Sequence, residues 1–251
     1  MLAREQNELI TRVGRGTPMG EVLRRYWLPV LLPIDLAEPD GPPMRVKILG
    51  EELVAFRDTS GRIGLLDEYC AHRCASLFLG RNEEDGLRCV FHGWKYDVNG
   101  HCIDMPNEPP DTRFQERIHL RAYPTVERGG LIWAYLGPAD KQPDPPAMEW
   151  VRAPESHRHV SKTLEFCNYV QAIEGGIDTV HSNFLHGGLP PSKRAEQRST
   201  LRQGAPPRLE VERTDYGFRY AGVYPRVEAD GSESDYVRIY QFVMPFQQFR
   251  A

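Results

Sequence analysis

The first pattern along the chain is helical spacing of apolar residues near the N-terminus. Between residues 5 and 27 apolar side chains recur every three to four positions, the spacing of an amphipathic helix. Gly14, Gly16 and Pro18 interrupt this pattern, since glycine and proline disfavour the interior of a helix. We therefore predict two short helices within an N-terminal helical segment, residues 1–42.

The pattern then changes to short stretches in which apolar and polar residues alternate, as in half-buried strands. Turn sequences such as Asp58–Gly61 and Asp97–Gly100 separate these stretches. The spacing predicts an all-β domain over residues 43–140, followed by a boundary in the proline-rich segment 137–146. The clearest predicted strands are 45–49, 53–57 and 131–136.

The last part of the chain mixes both patterns. Apolar residues at three- to four-residue intervals predict a helix over 168–185. Strand-like alternation returns afterwards, at 208–213, 218–224 and 236–244. We therefore expect an α+β protein, in which residues 147–251 form a domain of helix and antiparallel strands.

Composition narrows the classes of protein. The chain has 251 residues and is 40% hydrophobic, which is enough for one large or two modest domains with a core. Its net charge of −4 gives no indication of binding to nucleic acid or to an anionic membrane. The first residues contain no apolar stretch typical of a signal peptide, and the apolar stretch 26–34 contains two prolines and is too short to span a bilayer.

Two pairs of metal-binding residues carry the clearest chemistry. Cys70 and His72 form one C-x-H pair, and Cys89 and His92 form a C-x-x-H pair after sixteen intervening residues. A Rieske [2Fe–2S] cluster needs two thiolates on one iron and two imidazoles on the other, so each mixed pair can serve both irons. The segment 92–96 then turns at a glycine and supplies aromatic cover for the cluster.

A structural zinc site is the alternative interpretation of the same four residues, because two Cys and two His also satisfy tetrahedral Zn²⁺. Zinc knuckles usually pair Cys with Cys and His with His, whereas each pair here is mixed. The pattern therefore favours the Rieske cluster. The remaining three cysteines are an odd number without a disulfide framework, so we expect a reducing, cytoplasmic location.

A second candidate metal site lies in the predicted helix. Asp178 and His181 are three residues apart and would share one helical face, while His186 lies near the helix end, before a Gly-Gly pair. Two imidazoles and a carboxylate with open coordination positions are typical of the facial triad of non-haem Fe(II) oxygenases. A Rieske cluster and such an iron would form an electron donor and an oxygen-activating acceptor.

Several segments together resemble one known family. They are Gly16–Gly20 with Arg25–Trp27, the Asp67–Arg73 loop, and Glu174–His181. In these segments the chain resembles the oxygenase (alpha) subunits of Rieske non-haem iron aromatic-ring-hydroxylating oxygenases. The phthalate and phenoxybenzoate dioxygenase branch is the most similar, and the resemblance runs through nearly all of the chain.

The resemblance implies roles for the second set of residues. His181 and His186 would bind the mononuclear Fe(II), and Asp178 would form a hydrogen-bonded bridge to His72 or His92, typically of a neighbouring subunit in a homotrimer. Electrons from NAD(P)H would arrive through a separate flavin and iron–sulfur reductase. The iron would then activate O₂ to hydroxylate an aromatic substrate, by resemblance a carboxylated one, as in aromatic hydrocarbon catabolism.

The chain departs from the family pattern in two ways. Cys74 occupies a position where the family usually has glycine, so we expect an altered or mildly strained first metal loop. The family's third iron ligand is a carboxylate on a late helix, which we expect beyond Ala251. We therefore interpret the chain as a partial oxygenase whose iron site is incomplete.

Other functions remain open at this point. A vanillate-type O-demethylase would use the same machinery on a different bond. A Rieske electron-transfer fragment without oxygenase activity is a second alternative, but a carrier does not need the helix with His181 and His186. A respiratory Rieske protein would carry an extra cysteine in each metal loop, and Phe91 occupies one of those positions.

Overall fold

The computed structural model describes residues 2–181, 185, 206–228 and 230–250. Short helices and antiparallel sheets make up the described chain, which confirms the predicted α+β class. By its internal contacts the chain divides into two compact units, Met1–Leu164 and Glu165–Ala251.

The first unit is built on small antiparallel sheets. Their strand orders are β1-β10-β9, β2-β3-β4 and β5-β6-β7-β8. The strands are β1 Trp27–Leu31, β2 Met44–Ile48, β3 Glu51–Arg57, β4 Ile63–Asp67, β5 Arg81–Glu83, β6 Gly86–Arg88, β7 Lys95–Tyr96, β8 Cys102–Asp104, β9 Thr125–Arg128 and β10 Leu131–Tyr135. The strands predicted at 45–49, 53–57 and 131–136 are therefore confirmed to within two residues at each end.

Two short helices precede these sheets, as predicted. They are α1, Arg4–Thr11, and α2, Pro18–Leu23. Thr17 caps α2 by accepting a hydrogen bond from the Gly20 N–H at 3.2 Å, and Pro18 occupies the first helical position, where no backbone donor is needed.

Trp27 differs from the prediction, which placed it in the second helix. It begins strand β1 and pairs with Tyr135 of β10. Two residues later Pro29 lacks the N–H that a helix would need, and Trp27 buries its ring against Trp133 and Tyr135. Tertiary packing of the indole therefore replaces a third helical turn, and the N-terminal segment contributes a strand to the β domain.

The described residues of the second unit include a helix and an antiparallel sheet. Helix α4 spans Tyr169–Ile177, and the sheet is an antiparallel meander in the order β11-β12-β13-β14. Its strands are β11 Arg208–Thr214, β12 Gly217–Val227, β13 Glu233–Val243 and β14 Gln247–Arg250. The strands predicted at 208–213, 218–224 and 236–244 are confirmed, while β14 was not predicted.

Helix α4 is shorter than the predicted helix over 168–185. It begins after Asn168, whose side chain accepts a hydrogen bond from the Val170 N–H at 3.1 Å, and it ends at Ile177. Asp178 has extended backbone angles, and its side chain accepts a hydrogen bond from the Val180 N–H at 2.8 Å. This local bond competes with the helical backbone pattern, so the helix stops there. His181 and Leu185 are again in helical conformation.

Residues just after the predicted boundary at 137–146 pack within the first unit. They include a short helix, α3, Glu149–Arg152. The Trp150 ring lies 6.3 Å from that of Trp133, and Val151 is buried. The assignment of residues 147–251 to a catalytic domain stays a prediction, although its first residues belong by contact to the β unit.

None of the helices in the described part of the chain combines the length and the apolar character that a membrane span requires.

Candidate metal centre

Two six-residue loops of the first unit carry the predicted cluster ligands. The first loop is Cys70–Ala75 and the second loop is Cys89–Trp94. In both loops the cysteine N–H donates to the carbonyl of the last residue at 2.9 Å, and its carbonyl accepts from the N–H of the fifth residue. The two loops therefore share one backbone frame.

Both loops lie at the tip of a paired segment. A bridge between Tyr69 and Ser76 closes the first loop. The second loop connects β6 to β7, which pair antiparallel. Each loop reverses the chain direction within six residues, so the cysteine and the histidine of one pair lie in the same closed loop.

The fifth residue of each loop has left-handed backbone angles. In the second loop it is Gly93, with φ of 80°, a conformation that glycine adopts without steric cost. In the first loop it is Cys74, with φ of 53° and an exposed side chain. Because left-handed angles are unfavourable for residues with a Cβ, the predicted strain in the first metal loop is present in the structure.

The four predicted ligands come together. Cys70 and Cys89 are each only 2% exposed, and the His72 and His92 rings lie 4.4 Å apart between centroids. The Nδ1 atoms of both histidines are buried, and no described residue forms a hydrogen bond to either one. Buried polar atoms without partners are rare in native proteins and require an explanation such as a bound metal.

The protonation states suit metal binding. Burial raises the pKa of the Cys70 thiol, so in the absence of metal the thiol stays protonated. Desolvation, together with the neighbouring His92, lowers the pKa of His72, so that its imidazole is neutral and offers a lone pair. Two buried thiols and two buried imidazole Nδ1 atoms fit the ligand set of a Rieske [2Fe–2S] cluster.

Trp94 and Tyr96, which follow His92 in the sequence, contact the predicted ligands of the first loop. The Tyr96 hydroxyl lies 3.3 Å from Cys70 Sγ, and both groups are buried. The Trp94 ring stacks on His72 at 4.6 Å between centroids, with 11° between planes. The sequence predicted aromatic cover from this segment, but it gave no signal for which ligand each ring would contact.

The second constellation is described only in part. Asp178 Oδ2 lies 3.0 Å from His181 Nδ1, a contact made through the turn after α4 rather than along one helical face. The Val180 N–H, and after it the His181 ring, lower the pKa of Asp178. His186 lies outside the described residues. Among those that are described, no three His, Cys, Asp or Glu side chains are arranged to bind a single metal ion.

The turn that holds this pair is anchored to the sheet of the second unit. The Tyr220 hydroxyl on β12 donates to the Ile177 carbonyl at 2.7 Å, at the last residue of α4. Tyr220 is only 6% exposed, and burial raises its pKa to about 12, so the hydroxyl stays a donor at neutral pH. Sequence periodicity gave no signal for this contact, because it joins residues 43 positions apart.

Two domain families match consecutive parts of the chain. The Rieske [2Fe–2S] domain matches residues 26–124, and the LigXa C-terminal domain-like family matches residues 134–249. The first match contains both metal loops, and the second contains Asp178, His181 and His186.

Individual relatives agree with these domains. The chain is 45% identical to the phthalate 4,5-dioxygenase oxygenase subunit of Pseudomonas putida, over 98% of this chain and 57% of that protein. It is 41% identical to the 3-chlorobenzoate-3,4-dioxygenase oxygenase subunit of Comamonas testosteroni, over 98% and 56%. The chain thus spans a little over half the length of these relatives.

Solved structures show the same fold. The crystal structure of dicamba monooxygenase bound to dicamba aligns with a TM-score of 0.66 at 22% identity, covering 89% of this chain and 64% of that one. The paired loops, the Rieske domain match and the relatives point to one assignment. The chain belongs to the family of Rieske aromatic-ring-hydroxylating oxygenase alpha subunits, in its phthalate dioxygenase-like branch.

Proposed function

We propose that this chain is the oxygenase component of a multicomponent Rieske oxygenase that hydroxylates an aromatic carboxylate. The observation that carries this proposal is the convergence of four ligands at the two loop tips. Two thiols are buried there, and two imidazole rings 4.4 Å apart bury Nδ1 atoms to which no described residue forms a hydrogen bond. That donor set suits two irons with different ligands.

In this proposal Cys70 and Cys89 hold one iron, and His72 and His92 hold the other. A [2Fe–2S] cluster with this mixed ligand set supplies one-electron transfer at a higher potential than an all-cysteine cluster. The protein contributes two buried cysteines, a backbone frame that closes each loop around its cysteine, and the Tyr96 hydroxyl beside Cys70 Sγ. Such outer contacts orient metal ligands and tune the centre.

His181 and His186 are the proposed ligands of the mononuclear Fe(II). The contact of Asp178 with His181 Nδ1 supports this, because metal-binding histidines commonly pair one ring nitrogen with a carboxylate that orients the ring. The same contact makes Asp178 a positioning residue rather than an iron ligand. Its carboxylate would then bridge to His72 or His92 of a neighbouring copy, in a trimeric assembly.

The substrate class follows from the relatives. Two of them are described as acting on phthalate and 3-chlorobenzoate, which are aromatic carboxylates. We extend that class to this chain, with O₂ as co-substrate and a flavin and iron–sulfur reductase as electron donor.

Iron stoichiometry tests the proposal directly. The chain is reconstituted anaerobically with iron and sulfide, then given ferrous iron, and iron per chain and the electron paramagnetic resonance (EPR) spectrum are recorded. We expect about three irons, two in the cluster and one mononuclear. Cys89→Ser should abolish the cluster signal, whereas His181→Ala should lower the count to about two and leave that signal unchanged.

Different outcomes separate the alternatives. One zinc per chain and no EPR signal after reduction would contradict the cluster. A wild-type count of about two that His181→Ala does not lower would leave an electron-transfer protein only. Product analysis with a reductase, phthalate and a methoxybenzoate then separates hydroxylation from O-demethylation.

A further inference from the structure

The two histidines proposed as ligands of the same iron have very different surroundings. His72 lies flat against Trp94, with 11° between the ring planes and 4.6 Å between centroids. His92 has the Phe91 ring beside it at 4.0 Å, but tilted by 39°. Trp94 is 4% exposed and Phe91 is 62% exposed, so one histidine has a rigid buried partner and the other has a solvent-facing one.

Trp94 is itself fixed from three directions. Its ring belongs to the buried cluster that also contains both cysteines. Its Nε1–H donates to Asn107 Oδ1 at 2.9 Å, and the Phe114 ring approaches it edge-on at 6.3 Å. The backbone carbonyl of Trp94 also accepts a hydrogen bond from the Cys89 N–H. The indole that stacks on His72 of the first loop is therefore held by the backbone of the second loop.

We propose that Trp94, held in place by Asn107, is a positioning residue that fixes the His72 imidazole and makes the two histidine ligands unequal. This inference rests on the cluster proposed above. The flat stack limits rotation of His72 and excludes water from one face of its ring, while the Asn107 acceptor limits rotation of the indole. Among the described residues His92 has no such flat, buried partner, so its orientation depends on the iron bond and on its own loop.

Core packing alone would explain a buried tryptophan, and the two explanations differ in what they predict. A packing role makes Trp94 important for stability only. A positioning role makes an exposed residue, Asn107, matter to the cluster. Its removal would let the indole, and with it His72, adopt several orientations.

The experiment compares the reconstituted wild type with Asn107→Ala, Asn107→Asp and Trp94→Phe. Pulsed EPR of the reduced cluster measures the two histidine ¹⁴N hyperfine couplings, and chelator challenge measures the rate of cluster release. In Asn107→Ala and Trp94→Phe we expect one coupling to broaden and release to accelerate about tenfold, the low end for loss of an outer contact to a metal-binding histidine. Asn107→Asp keeps an oxygen acceptor and should restore both values.

Two controls make the test specific. Asn99→Ala removes an exposed amide in a separate turn, and Leu79→Ala removes an exposed apolar side chain outside both metal loops. Both should leave the couplings and the release rate within about twofold of wild type, the range expected of changes that break no metal contact. Unchanged couplings and release in Asn107→Ala would overturn the inference, as would a lower melting temperature alone. A wild type without a Rieske-type signal would instead overturn the proposed function.

Discussion

The two metal loops of the first unit have the same backbone frame but reach it with different sequences. Both close through the same pair of hydrogen bonds around a cysteine, and both pass through left-handed angles at the fifth residue. The first loop places histidine at its third position and the second loop at its fourth. The frame therefore determines where the cysteine lies, while the histidine can come from either of two positions.

The loops also differ in what they provide to each other. Trp94, the last residue of the second loop, contacts His72 of the first loop, and Tyr96, two residues further on, contacts Cys70. The second loop is thus the support and the first loop the supported element. In the second loop Gly93 adopts the left-handed backbone angles without strain, whereas in the first loop Cys74 adopts them with strain. Three substitutions test this difference between the two loops.

The largest effect is expected from Gly93→Ala. A methyl group there would lie 2.7 Å from Pro106 Cγ, and the alanine would hold φ of 80°. The left-handed angle costs roughly 1–2 kcal/mol and the crowding against the proline ring roughly 1–3 kcal/mol. We expect the free energy of unfolding to fall by about 2–5 kcal/mol in urea titrations of the metal-free protein under reducing conditions.

Gly61→Ala is the matched control for that substitution. Gly61 has φ of 82°, and its added methyl group would meet no atom within 4 Å. It should lose only the backbone contribution, roughly 1–2 kcal/mol. Equal losses in the two variants would show that the Pro106 ring accommodates the added methyl group without a measurable loss of stability.

A smaller effect is expected from Tyr96→Phe, and it appears in the reduction potential. A thiolate at Cys70 can only accept, so Tyr96 donates to it and favours the more negative, reduced cluster. A hydrogen bond stronger by about 1 kcal/mol in one redox state corresponds to roughly 40 mV for one electron. We therefore expect the midpoint potential to fall by about that amount in a dye-mediated titration.

Tyr135→Phe provides the comparison for Tyr96→Phe. Tyr135 is also fully buried, and its hydroxyl donates to the Pro138 carbonyl at 3.1 Å rather than to a cysteine. Loss of this hydroxyl should lower the free energy of unfolding about as much as Tyr96→Phe does, but it should leave the midpoint potential of the cluster unchanged. A potential shift of the same size in both variants would argue for a general packing effect.

Local patterns in the sequence account for much of what the structure shows. The ligand pairs, the strands 45–49 and 53–57, and the strained Cys74 all depend on residues within about six positions of one another. In such segments spacing and backbone preference determine the outcome, so the sequence predicted them well.

Contacts between distant residues account for what it missed. The stack of Trp94 on His72 and the bond from Tyr96 to Cys70 join the two loops across more than twenty residues. Trp27 forms a strand because of Tyr135, more than a hundred positions away. The early end of α4 is the exception, since the bond from Val180 to Asp178 is local and outweighs apolar periodicity.

The smallest effect is expected from Cys74→Gly, the substitution that makes the supported loop resemble its support. Relief of the left-handed angle at φ of 53° favours the variant by roughly 1–2 kcal/mol, and the greater freedom of glycine in the unfolded chain opposes it by roughly 0.5–1 kcal/mol. Because Cys74 is exposed, its side chain adds little burial. We expect a net gain of about 0.5 kcal/mol in urea unfolding, whereas Cys74→Ala, which keeps the strain, should change stability by only a few tenths of a kcal/mol. A loss of stability in Cys74→Gly would mean that the thiol makes a favourable contact, and that the first loop is not the strained member of the pair.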